Sequence, residues 1–80
     1  MEAERTMTTL DVRPIMAAGE EPFDAIMKAV AGLGADDDFE LLAPLDPIPL
    51  YQVLESKGFG HVTDALGGGD FRVVFHREGG

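Results

Sequence analysis

Eighty residues are enough for one domain with a modest core. The net charge of −9, from 15 acids against 6 bases, works against a nucleic-acid partner, because few Lys and Arg are present to displace phosphate counterions. The absence of cysteine excludes disulfides, thiolate metal sites and a cysteine persulfide.

No apolar run approaches the ~20 residues that span a bilayer. Met1-Glu2-Ala3-Glu4-Arg5 is acidic where a secretory signal is basic and then apolar. A cytoplasmic protein without membrane contact is the expectation. Residues 1–7 read as a disordered tail, 8–78 as a single domain and 79–80 as a flexible C-terminus.

The first element, Thr8 to Val12, is rich in β-branched residues and reads as a strand. Arg13-Pro14 ends it, because proline has no N–H for a ladder. Ile15 to Gly19 reads as a loop. From Pro22 to Leu33, the residues Phe23, Ile26, Met27, Val30 and Leu33 form one helical stripe. Pro22 suits a first turn, Glu20, Glu21 and Asp24 suit the positive end of the helix dipole, and Gly34 reads as the stop.

Asp36-Asp37-Asp38 reads as a solvated turn; it lacks the spacing, glycine and distal glutamate of a calcium loop. Phe39 to Ala43 reads as a short buried strand, Pro44 to Pro49 as a loop, and Pro49 to Lys57 as a second helix with Leu50, Val53 and Leu54 inward. Two strands follow, Gly60 to Leu66 and Phe71 to Arg77, joined through Gly67-Gly68-Gly69-Asp70. The order β-α-β-α-β-β predicts a two-layer α/β (α+β) sandwich, with both helices on one face of a four-stranded mixed sheet.

The hairpin register decides where its two histidines point. With a two-residue Gly68-Gly69 turn, His61 faces His76 beside Thr63, Ala65, Arg72 and Val74. Phe71, Val73 and Phe75 then share the other face with Val62 and Leu66. A three-residue loop shifts the register by one, so that Asp64 faces Arg72.

Leu10-Asp11-Val12-Arg13 on the first strand, Glu21-Pro22 at the first helix and Asp46-Pro47 before the second together resemble the TusA/SirA-like superfamily. Pro47-Ile48-Pro49-Leu50-Tyr51, Gly58-Phe59 and a glycine-rich hairpin running into Phe71-Arg72-Val73 are similar to its bacterial DUF2249 branch, of unknown function. The resemblance covers residues 8–78 and implies the TusA-like fold. In the sulfur-relay members a Cys-Pro-x-Pro motif sets a thiolate at a helix start, where amides and dipole lower its pKa. The equivalent stretch here is Gly19-Glu20-Glu21-Pro22, which keeps only the last proline, so the fold carries over and cysteine-based sulfur transfer does not. The branch also implies partners among redox or metabolic proteins, since its members are often fused or adjacent to hemerythrin-like or other redox proteins.

The resulting expectation is a non-enzymatic binding or regulatory domain, monomeric or weakly dimeric, with no cofactor and a protein partner, a small ligand being the alternative. Arg13, Glu20, Glu21, Asp46 and Tyr51 are the candidate binding residues, gathered at the edge made by the first helix start and the proline loop. Glu20 and Glu21 could be an acid/base pair, but no nucleophile or histidine is near in sequence and a dipole-complementing role explains them. Asp46 reads equally as a cap for the second helix, and Tyr51 as a half-buried ring with a wet hydroxyl. Two alternatives stay open. One is a metal-binding hairpin through His61 and His76. The other is a sulfur carrier acting through Gly79-Gly80, although carriers of that kind begin with a hairpin rather than a strand and a helix.

Overall fold

The computed structural model describes residues 6–34 and 37–78. The elements run β1 (Thr6–Asp11), α1 (Arg13–Ala17), α2 (Phe23–Ala31), β2 (Asp37–Ala43), α3 (Ile48–Ser56), β3 (Phe59–Gly67) and β4 (Asp70–Arg77). Sheet order is β1-β2-β4-β3, with β1 parallel to β2 and the other pairs antiparallel. The expected α+β sandwich on a four-stranded mixed sheet is therefore present.

Alternation sets the sheet's two faces. On β2, Phe39, Leu41 and Ala43 are buried, and Glu40 and Leu42 are half-buried on the opposite face. Val73 and Phe75 of β4 join the buried side, with the Phe39 and Phe75 rings stacked 5.9 Å apart. Ile26 and Val30 of α2, Leu33 just after it, and Leu50 and Leu54 of α3 complete one continuous core. The opposite sheet face is open, with Met7 and Val62 exposed.

Boundaries differ from the sequence reading by two residues or more at four places, each for a local reason. Thr6 and Met7 belong to β1 rather than to a tail; residues 1–5 and 79–80 lie outside the described residues. The stretch expected as a loop after the first strand begins as α1. Pro14, whose missing N–H ends a strand, equally suits the first turn of a helix, where its fixed φ fits and no donor is needed, and Met16 N–H bonds the Val12 carbonyl at 2.9 Å. α2 stops at Ala31 with Gly32 as C-cap, two residues before the expected Gly34. Asp37 and Asp38 lie within β2, because Gly34 N–H bonds the Asp37 carboxylate at 2.8 Å and turns the chain before them; Asp36 lies outside the described residues.

The hairpin turn is the two-residue one, with Gly67, Gly68 and Gly69 all at positive φ. Its register, however, is the one expected of a longer loop. A bulge between Ala65 and Gly67 leaves Leu66 unpaired and shifts the ladder by one. Asp64 pairs with Arg72 and His61 with Phe75, so the His61–His76 pairing that a bulge-free two-residue turn would give does not form. The shift turns Phe59 into the core, 3% exposed, and Val62 and Leu66 outward, 56% and 51% exposed. The alternative register would set Asp64 opposite Val73, at the half-buried position where Thr63 meets the Tyr51 hydroxyl, and would take its carboxylate away from Arg72.

Candidate functional site

The carboxyl ends of β1 and β2 feed into α1 and α3, and a groove opens there between the starts of α2 and α3. In open α/β sheets this is the end where ligands sit. The floor is Val12, Leu41 and Ala43; one wall is Met16, Pro22, Phe23 and Ile26. The opposite wall is Leu45, Pro47, Pro49, Leu50 and Val53. The cavity measures about 280 Å³, and among the described residues that line it Glu21 alone is charged. Phe23 and Leu45 remain 42% and 46% exposed at the mouth. The groove lies between the first helix start and the proline loop, the edge named from the sequence, but its apolar lining reads there only as core stripe and loop.

The five candidate binding residues fall into three sets of contacts. Arg13 is a strap. Its Nε and Nη2 donate to the two Asp11 oxygens at 2.9 and 2.7 Å, and its Nη1 donates to Asp70 at 2.8 Å. The guanidinium thus ties the end of β1 to the start of β4 across β2. The Arg13 contact holds Asp11 below the ordinary carboxylate range, and the two carboxylates push the Arg13 pKa up.

Glu20 and Glu21 stand exposed at the groove mouth. Glu21 accepts the Phe23 N–H at 3.0 Å, satisfying one amide of the first turn of α2. Asp24 adds an acid within that turn itself.

Asp46 and Tyr51 meet each other. Tyr51 donates to Asp46 Oδ1 at 2.5 Å, and a 2.6 Å bond joins its oxygen to the Thr63 hydroxyl on β3. The Tyr51 ring lies on the His61 imidazole at 3.8 Å and 8°, with Phe75 tilted 6.2 Å away. Shielding from water, then donation to Asp46, pushes the Tyr51 hydroxyl above the ordinary tyrosine range. Asp46 makes no side-chain cap to α3, the role expected for it; no side-chain bond caps that helix. Sequence reasoning missed Thr63 and the stacking role of His61, since both depend on the bulge.

His76 belongs to the open face and pairs with Glu78 at 3.0 Å. Gly60 makes room for that pair: a Cβ there would collide with the Glu78 carboxylate. A shallower cavity of about 430 Å³ at this end includes His61, His76, Glu55 and Glu78 in its lining. Among the described residues no group of three or more His, Asp or Glu is placed to hold a metal ion.

On the open face the charges pair in plane. Thr9 donates to Glu40 at 2.8 Å, Arg72 pairs with Glu40, and Arg72 reaches Asp64 at 3.4 Å. The Thr9 hydroxyl, then Arg72, holds Glu40 below its ordinary range. Arg77 lies over the Phe59 ring at 4.8 Å. Arg13, Arg72 and Arg77 are thus each engaged within the chain rather than gathered into one basic patch. No described helix is long and apolar enough to cross a membrane.

Fold and groove together describe a small α+β domain with an apolar site at one sheet end. Residues 9–77 match the family described as uncharacterized conserved protein (DUF2249), and the chain belongs to that family. No curated protein and no solved structure matches it.

Proposed function

We propose that this chain is a non-enzymatic binding domain whose groove receives an apolar side chain from a protein partner, flanked in the partner by Lys or Arg. The observation that carries the reading is the groove itself: an apolar cavity of about 280 Å³ with Glu21 at its mouth. That volume falls at or below the range of about 300–1,000 Å³ usual for small-molecule and cofactor sites. It suits one large side chain of the kind that anchors protein interfaces. Burying such an anchor contributes about 1.5–3 kcal/mol.

Charge selects the flanks. Glu20, Glu21 and Asp24 line the approach on a chain of net charge −9, which steers basic segments inward and anionic ones away. The sandwich with sheet order β1-β2-β4-β3, and a first long helix that starts after Glu21-Pro22, support placing the chain in the TusA/SirA-like superfamily. The site then lies where its sulfur-relay relatives hold their thiolate, and the loss of cysteine leaves binding without group transfer. Partners among redox or metabolic proteins of the cytoplasm fit that placement.

The test is an NMR titration with a short peptide carrying a central Phe flanked by Lys and Arg, following the methyls of Ala43, Leu50 and Val53. The expected result is saturable shifts at those methyls that Leu45→Glu abolishes and a Glu20→Lys/Glu21→Lys variant weakens. Methyl signals that stay in place at millimolar peptide would defeat the proposal.

A further inference from the structure

Tyr51 stands outside the groove, yet it holds one of the groove's walls. Asp46 lies between Leu45 and Pro47, which both line the cavity. Prolines at 44, 47 and 49 remove three N–H donors from this stretch, so its backbone has little with which to fix itself. A carboxylate only accepts, so the Tyr51 hydroxyl gives its proton to Asp46 at 2.5 Å, and the Thr63 hydroxyl then donates to the Tyr51 oxygen at 2.6 Å. Thr63 pairs with Val73 within the hairpin ladder, which makes it a firm post. The stacked His61 fixes the plane of the ring from which the hydroxyl projects.

We propose that Tyr51 is a positioning residue for the binding groove. It pins the proline wall to β3 through Asp46 and Thr63, and so keeps the cavity open to its partner before that partner arrives. The inference rests on the groove reading given above and adds how the site is held ready. A site shaped in advance does not spend binding energy on ordering a loop.

Tyr51→Phe removes both bonds and keeps the stacked ring, and indole serves as a probe small enough for the cavity. Indole affinity, read from the Ala43, Leu50 and Val53 methyls, should fall about tenfold, as the loss of two net hydrogen bonds implies. Amide exchange at Ile48, whose N–H bonds the Asp46 carbonyl at 2.8 Å, should quicken by about the same factor, with Leu41 and Val73 unchanged. Asp46→Asn keeps an acceptor and should restore indole affinity to within about threefold of the parent, whereas Asp46→Ala should behave like Tyr51→Phe. Unchanged indole affinity in Tyr51→Phe, or equal losses in Asp46→Asn and Asp46→Ala, overturns the proposal. A parent chain that takes up neither indole nor the basic peptide defeats the groove reading instead. The pin is then judged by Ile48 exchange alone, and exchange unchanged by Tyr51→Phe overturns it.

Discussion

Phe59→Ala and Val62→Ala, made separately, test the register that orients everything on β3. Phe59 is 3% exposed and Val62 is 56% exposed. Truncating a buried Phe costs about 3–5 kcal/mol, from lost transfer energy and the cavity left behind. The Arg77 guanidinium above the ring adds about 0.5 kcal/mol at such an exposed position. Truncating Val62, which faces solvent, should change stability by about 0.5 kcal/mol or less. A chain of 80 residues carries a total stability of about 4–12 kcal/mol, so the first change removes a large share and the second almost none. Urea denaturation at neutral pH measures both, and the milder Phe59→Leu serves if Phe59→Ala does not fold. In the alternative register the ranking inverts, because Val62 would enter the core and Phe59 would leave it. A Val62→Ala loss equal to or larger than that of the Phe59 variants refutes the bulge and, with it, the Tyr51–Thr63 contact.

Three further outcomes follow from the polar network. Asp11, lowered by the Arg13 bonds, and Glu40, lowered by Thr9 and Arg72, favour the folded state above the unfolded carboxylate values of about 3.9 and 4.3. That contribution fades as pH falls through their lower native values, so urea midpoints of the parent and an Asp11→Asn/Glu40→Gln variant should converge in acid; parallel curves down to pH ~2 contradict this. Tyr51 is the only tyrosine in a chain without tryptophan, so near-ultraviolet absorbance titrates it alone. Its raised pKa means that the neutral hydroxyl favours folding below pH ~10 and that this is lost as pH rises through the native value. Half-ionisation at or below about 10 would show that the hydroxyl is not held as described. Gly60→Ala should displace the flexible Glu78 end and break its pair with His76, with stability changed by about 1 kcal/mol or less. A loss well above that would mean that the neighbouring backbone cannot accommodate a Cβ.

Periodicity carried most of the fold. The α2 stripe gave Ile26 and Val30 as inward residues, and proline and glycine punctuation bracketed α3 and the hairpin. Two features escaped for physical reasons. Arg13-Pro14 marks a strand end and a helix start alike, so α1 was hidden behind a correct boundary. The hairpin holds two competing alternations, one placing Phe59, His61 and Thr63 inward and the other Val62 and Leu66. What separates them is the burial of Phe59 and the pairing of Asp64 with Arg72, tertiary quantities that no local window contains. The candidate site was legible in its parts, since Glu21 and Asp46-Tyr51 were singled out by position. The groove was not, because an apolar residue destined for a groove wall has the same signature as one destined for the core. Leu45 and Phe23 look no different in sequence from Leu41 and Ile26.

The start of α2 argues for the kind of partner independently of the cavity's shape. A helix start offers free amides and a positive dipole end, which favour an anionic ligand or a thiolate. Here that end is already answered from within the chain: Glu21 takes the Phe23 amide, and Glu20 and Asp24 stand beside it. An arriving anion would compete with a built-in carboxylate for the amide and meet two more charges of its own sign. A neutral apolar group meets no such opposition in a groove whose remaining walls are aliphatic, aromatic and proline carbon. A cation beside it gains attraction that no lysine or arginine among the described groove-lining residues has already taken up. The proposed pairing of an apolar anchor with a basic flank is therefore supported by how this helix start is filled. It would fail if anionic peptides bound the groove as tightly as basic ones at low salt.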